Sequence, residues 1–139
     1  MKNLRNPTDA EVRKDFPGGW KDDAVNKFTK EGRTTGEQEA FIYVSALANF
    51  RKTSSAIAKG KLMQYVPKDG LYVYFRYDSK QTIMIISNTG SKSLKPDWNY
   101  FSERVNGFTK IKNVITGEIK PLPGFEIQPK ESFVFELIK

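Results

Sequence analysis

At Gly60 the apolar pattern changes its period, and this change limits the possible folds of the 139-residue chain more than any other feature. Before it, Ala40, Phe41, Val44, Leu47 and Ala48 recur at helical spacing, with Arg51 at the edge of the stripe. That pattern predicts an amphipathic helix over residues 37–52, about four turns long. Tyr43 and Phe50 lie off the centre of the stripe, so the apolar surface is wide. Thr34 stands three before Glu37 and Thr35 three before Gln38, and either pair can form a capping box. Ser54 or Ser55 can cap a further short turn through Ala56, Ile57 and Ala58, which Gly60 ends.

After Gly60 the chain reads as short runs rich in β-branched and aromatic residues: 62–66, 70–77, 82–87, 101–104, 112–116, 118–120, 125–128 and 132–137. Turn signals such as Lys68-Asp69-Gly70, Asn88-Thr89-Gly90 and Thr116-Gly117 separate them. A mainly β fold follows, a small antiparallel Greek-key sandwich. On strand 70–77, Tyr72, Tyr74 and Arg76 share one face and Val73, Phe75 and Tyr77 the other. One face is expected to meet the core and the other a neighbouring domain. The domain boundary falls near Gly60, between a loop-plus-helix segment, 1–59, and a β domain, 60–139.

The first 36 residues are polar and interrupted by Asn6-Pro7, Pro17-Gly18-Gly19, Gly32 and Gly36. Only 22–28 is expected to be helical there, with Asp22 and Asp23 capping it and compensating its dipole. So long a stretch without regular structure is uncommon in a compact domain and suggests a loop that packs on something else.

The chain has no Cys and no His, which excludes disulfides, thiol nucleophiles, Ser-His triads and His or Cys metal sites. Acid–base chemistry would have to use carboxylates, Lys or Tyr. No metal or cofactor is expected. The net charge of +7 raises the question of nucleic acid. However, residues 1–59 carry 11 basic and 8 acidic side chains and residues 60–139 carry 12 and 8, so neither part is a basic arm. The positives read as a solvated surface, and no nucleic-acid partner is expected. No segment approaches the ~20 apolar residues of a membrane span. Met1-Lys2 precedes no apolar core, so no signal peptide is expected, and the compartment stays open.

The string Arg13-Lys14-Asp15-Phe16-Pro17-Gly18-Gly19-Trp20 is the most specific in the chain. With Asn26-Lys27-Phe28-Thr29, Gly32-Arg33-Thr34, Glu37, Arg51-Lys52, Ile57, Gly60-Lys61-Leu62 and Tyr72-Val73-Tyr74-Phe75-Arg76-Tyr77, it resembles the C-terminal end of glycoside hydrolase family 13, the α-amylase family, and most of all its neopullulanase and cyclomaltodextrinase branch. The resemblance is strong through residue 77 and weaker beyond it. It implies a loop after the eighth strand of a (β/α)8 barrel, then the last barrel helix, then the C-terminal sandwich. The family's catalytic carboxylates would all lie upstream, so no catalytic residue is expected here, and Met1 would correspond to an internal position of a longer enzyme.

Loops at the C-terminal ends of barrel strands line the active site. The resemblance therefore makes Arg13, Asp15 and Trp20 candidates for sugar contact in a complete enzyme, with Asp accepting hydroxyls, Arg donating and Trp stacking. The plainer alternative is an Arg13–Asp15 ion pair holding the loop, with Trp20 anchored in a core. Trp98, Tyr100 and Phe101 are a second candidate stacking platform. The function that follows is the non-catalytic C-terminal portion of an α-glucan hydrolase, partnered by the catalytic barrel. The competing reading is a free-standing carbohydrate-binding module that takes α-glucan oligosaccharides.

Overall fold

The computed structural model describes residues 8–13 and 15–139. The Asn6-Pro7 interruption, and Lys14 within the Arg13–Trp20 string, lie outside the described residues. The elements run α1 (Asp9–Val12), α2 (Thr35–Thr53), α3 (Ser55–Lys59), β1 (Lys61–Gln64), β2 (Leu71–Tyr77), β3 (Thr82–Asn88), α4 (Ser102–Val105), β4 (Lys110–Asn113), β5 (Ile119–Pro121) and β6 (Ser132–Ile138). Two compact units divide at Ile42 and Tyr43, within α2.

In the first unit, α2 starts as the Thr34–Glu37 pair predicts. The Thr34 amide donates to Glu37 Oε2 at 2.7 Å, and the Glu37 amide donates to Thr34 Oγ1 at 3.4 Å. This reciprocal box satisfies two of the donors a helix start leaves open. No residue of α2 is buried, although the helix runs for 19 residues.

The segment 22–28 is not a helix but a run of turns. Asp23 and Asn26 offer nearby backbone amides side-chain acceptors in place of helical carbonyls. The Lys27 amide donates to the Pro17 carbonyl at 2.9 Å and the Phe28 amide to Asn26 Oδ1 at 2.9 Å, folding the segment back on the Pro17-Gly18 turn.

In the second unit, β1 to β6 form one antiparallel sheet of order β1-β2-β3-β6-β4-β5. The mainly β, antiparallel fold expected for this part of the chain is present. β6 enters between β3 and β4, with Met84 opposite Phe135 and Ile111 opposite Leu137. Alternation places Val73 and Phe75 of β2, Met84 and Ile86 of β3, Ile111 of β4, and Phe135 and Leu137 of β6 in one core. Phe101 and Val105 of the α4 segment, with Leu122 and Ile127, close that core as the facing layer. Each fully buried side chain of this size contributes about 1.5–3 kcal/mol.

Two expected strands take other forms. Residues 101–104 enter α4, because Asp97 starts a turn that winds into helix. The Asn99 amide donates to Asp97 Oδ1 at 3.1 Å and the Tyr100 amide to the Asp97 carbonyl at 3.1 Å, and Phe101 and Val105 then bury one helical face. Residues 125–128 form only a bridge, Ile127 with Leu94. On the outer side of the sheet, Ser54 caps α3 by accepting the Ile57 amide at 3.2 Å. Arg76 on β2 donates to the Ile57 carbonyl at 2.9 Å, so α3 covers part of the face that Tyr72, Tyr74 and Arg76 share.

Candidate functional site

The loop before α2 is organised from within. Gly18 has φ +108°, a conformation side chains resist, and a Cβ there would lie 2.3 Å from Asn26 Oδ1. Beneath this turn the Asp23 carboxylate accepts the Gly18 amide at 2.6 Å and the Trp20 amide at 3.0 Å. These backbone donors hold the Asp23 carboxyl below its ordinary range.

Arg33 is the second hub. It donates from Nε to Gln38 Oε1 at 2.7 Å and from Nη1 to the Lys27 and Phe28 carbonyls at 2.8 and 3.2 Å. Its guanidinium lies 3.9 Å from the centre of the Phe41 ring. Lys27 donates to Glu37 Oε2 at 2.6 Å. This bond, with the Thr34 amide, lowers the Glu37 carboxyl from 4.5 to about 2.

Arg13, Asp15 and Trp20 are all on the surface. Arg13 Nε pairs with Asp9 one helical turn earlier, at 3.4 Å, rather than with Asp15. The i, i+4 spacing on α1 makes Asp9 the nearer partner. Trp20 is 71% exposed, so it is no core anchor among the described residues. Phe16 and Phe28 pack edge to face at 4.8 Å and remain mostly open. The loop thus displays aromatic rings over a scaffold tied by Asp23 and Arg33. Asp23 was expected to cap a helix and instead caps a turn, because the carboxylate finds the closely spaced amides of Pro-Gly-Gly-Trp first. Its spacing, three after Trp20 and five after Gly18, is the only sequence sign of that role. The role of Arg33 has no comparable sign.

The second platform does not assemble as a flat stack. Phe101 is buried. Trp98 is half-buried against Phe125, at 5.2 Å, and Phe101, at 6.3 Å. Tyr100 alone of the three stays open, 5.5 Å from Tyr65. Tyr65 belongs to the expected strand 62–66, and no sequence signal marks it as part of a platform. Along α2, Phe41, Ile42 and Val44 remain 50, 54 and 63% exposed, with Arg33 stacked on part of the Phe41 ring. No described helix is long and apolar enough to cross a membrane.

Residues 62–136, more than half of the chain, match the family described as the Cyclo-malto-dextrinase C-terminal domain. Solved structures share the fold. An Anoxybacillus alpha-amylase superposes with a TM-score of 0.55 at 17% identity, over 72% of this chain and 22% of that one. The Geobacillus thermoleovorans alpha-amylase complexed with acarbose gives 0.57 at 15% identity, over 77% and 24%. The Bacillus licheniformis trehalose-6-phosphate hydrolase gives 0.51 at 22% identity, over 68% and 17%. The chain therefore spans a quarter or less of the length of these three proteins. It belongs to the cyclo-malto-dextrinase C-terminal domain family, within the α-amylase family of glycoside hydrolases.

Proposed function

We propose that this chain is the non-catalytic C-terminal portion of an α-glucan-hydrolysing enzyme of the neopullulanase and cyclomaltodextrinase type, acting on starch, pullulan or cyclodextrins. In this reading residues 1–59 complete the catalytic barrel and residues 60–139 form the C-terminal domain that stabilises it. The observation that carries the reading is the exposure of large apolar side chains along α2. Phe41, Ile42 and Val44 stand half or more exposed on a helix with no fully buried residue. Covering them would contribute on the order of 2–5 kcal/mol, half of full burial for three such side chains.

The described carboxyls held away from their ordinary range add support. Asp23, Glu31, Glu37, Asp78 and Glu126 are all shifted, and all downward. A glycosidic general acid needs the opposite shift. In the assembled enzyme, Trp20 would stack on a sugar face while Arg13 and Asp15 address hydroxyls.

Two measurements test the reading. The purified chain should not hydrolyse starch, pullulan or cyclodextrin; turnover that a carboxylate substitution in this chain abolishes would refute it. Val44→Asp should change the stability of the isolated chain by no more than about 0.5 kcal/mol, because the side chain already faces water. In the complete enzyme the same change should cost several times more. Equal tolerance in both would remove the barrel from the argument.

A further inference from the structure

A cavity of about 130 Å³ opens on the β domain between the connection from β1 to β2 and the segment leading to α4. Its size is informative, because a dry cavity of about 150 Å³ holds one benzene ring. This one is slightly smaller and open on one side, so it can take one face or edge of a six-membered ring, with the rest of that ring at the mouth. Val73 and Phe101, both nearly inaccessible, form the apolar floor. Tyr65 and Tyr100 are the aromatic wall, with Tyr100 45% exposed at the mouth. Tyr65 Oη is shut off from solvent and has no hydrogen-bond partner among the described residues.

The rim has two charges of each sign, Lys68 and Lys95 against Asp69 and Asp97, which favours a neutral ligand over an ion. All four retain some hydrogen-bonding capacity. Lys95 uses one of its three donors on Glu126 at 3.1 Å. Asp97 uses one oxygen on the Asn99 amide at 3.1 Å and keeps the other. Asp69 and Lys68 make no side-chain hydrogen bond or ion pair among the described residues. An apolar floor, an aromatic wall and a rim of acceptors and donors suit a ring with one C–H face and an edge of hydroxyls.

We propose that this cavity is a binding site for one pyranose ring of a neutral saccharide. The proposal uses no residue of α2, so it stands or falls separately from barrel docking. The full chain is titrated with methyl α-glucoside, maltoheptaose and cyclohexanol, with amide NMR shifts as the readout. Methyl α-glucoside should shift the amides of Tyr65, Asp69, Leu71 and Tyr100 saturably, with a Kd of about 1–10 mM, the scale of one ring with few contacts.

Tyr100→Ala, at an exposed position, should weaken binding about five- to tenfold, and Asp69→Asn should weaken it as well. If maltoheptaose saturates the same amides, a glucan end or branch is the source of the ring. If only the monosaccharide does, a free sugar is the source. Absence of saturable shifts with both sugars overturns the proposal. So does cyclohexanol binding as tightly as the glucoside, or affinity unchanged in both variants.

Discussion

Asn88 is the sharpest place to test how the β domain holds its two layers together. It ends β3 and is 1% exposed. Its amide group donates to the Lys92 carbonyl at 2.7 Å and the Ile127 carbonyl at 3.0 Å, and its oxygen accepts the Gly90 amide at 2.9 Å. One side chain thus ties the sheet to the layer that carries the Leu94–Ile127 bridge. Asn88→Ala removes all three bonds. The Ile127 carbonyl keeps the Leu94 amide at 3.0 Å, while the Lys92 carbonyl and the Gly90 amide lose the partner described here. At about 1 kcal/mol net per bond, with water reaching the outer groups, the loss is about 2–3 kcal/mol.

Asn88→Asp keeps the shape but faces a carboxylate to two carbonyls, so at pH 7 it should cost at least about 1 kcal/mol more than Ala. Its folded pKa would be raised, so the variant should recover stability as pH falls below that value and lose it as pH rises. Urea unfolding followed by near-ultraviolet signals measures both, with the slope unchanged if only stability moves. A loss below about 1 kcal/mol for Ala, or Asp no worse than Ala at pH 7, would refute the stapling role.

Two further predictions rest on the same reading of burial and pairing. Phe75→Ala, at a position of 0% exposure, should cost about 3–5 kcal/mol, while Leu62→Ala on the adjacent strand, 54% exposed, should cost less than about 1 kcal/mol; parallel urea curves compare them, and similar losses would contradict the assigned faces of the sheet. The carboxyl of Glu37 should titrate near 2 rather than 4.5, read by carboxyl NMR. Its depressed folded value means that its support of the start of α2 is complete above about pH 4.5 and fades as pH falls toward 2, so Thr34 amide protection should be lost over that interval and a midpoint near 4.5 would contradict the pairing with Lys27.

Local chemistry was legible along much of the chain. The change of period at Gly60 marks where helix gives way to strand, because each backbone conformation repeats its side chains at a set interval. The Thr34–Glu37 box starts α2, and the alternation on β2 sends Val73 and Phe75 inward and Tyr72, Tyr74 and Arg76 outward, as sequence spacing alone implied. The Arg13–Trp20 string and the motifs after it resemble the α-amylase family, to which the match over residues 62–136 assigns the chain.

Elsewhere a tertiary partner decided. Residues 101–104 have strand-like composition, yet Asp97 and the core contacts of Phe101 and Val105 make them helical. The 22–28 segment has helical composition, yet Asp23 spends its side chain on the turn behind it and Asn26 on the Phe28 amide ahead. The insertion of β6 between β3 and β4 joins residues some fifty positions apart, as in Met84 with Phe135, and no local pattern encodes it. Nor does any spacing reveal that Asn88 staples two layers, or that Tyr65, Asp69 and Tyr100 line one cavity. The sequence by itself determined the elements whose partners lie within a helical turn or along one strand. The tertiary structure determined everything that depends on which distant surface a side chain meets, because chain folding sets those distances and local spacing does not.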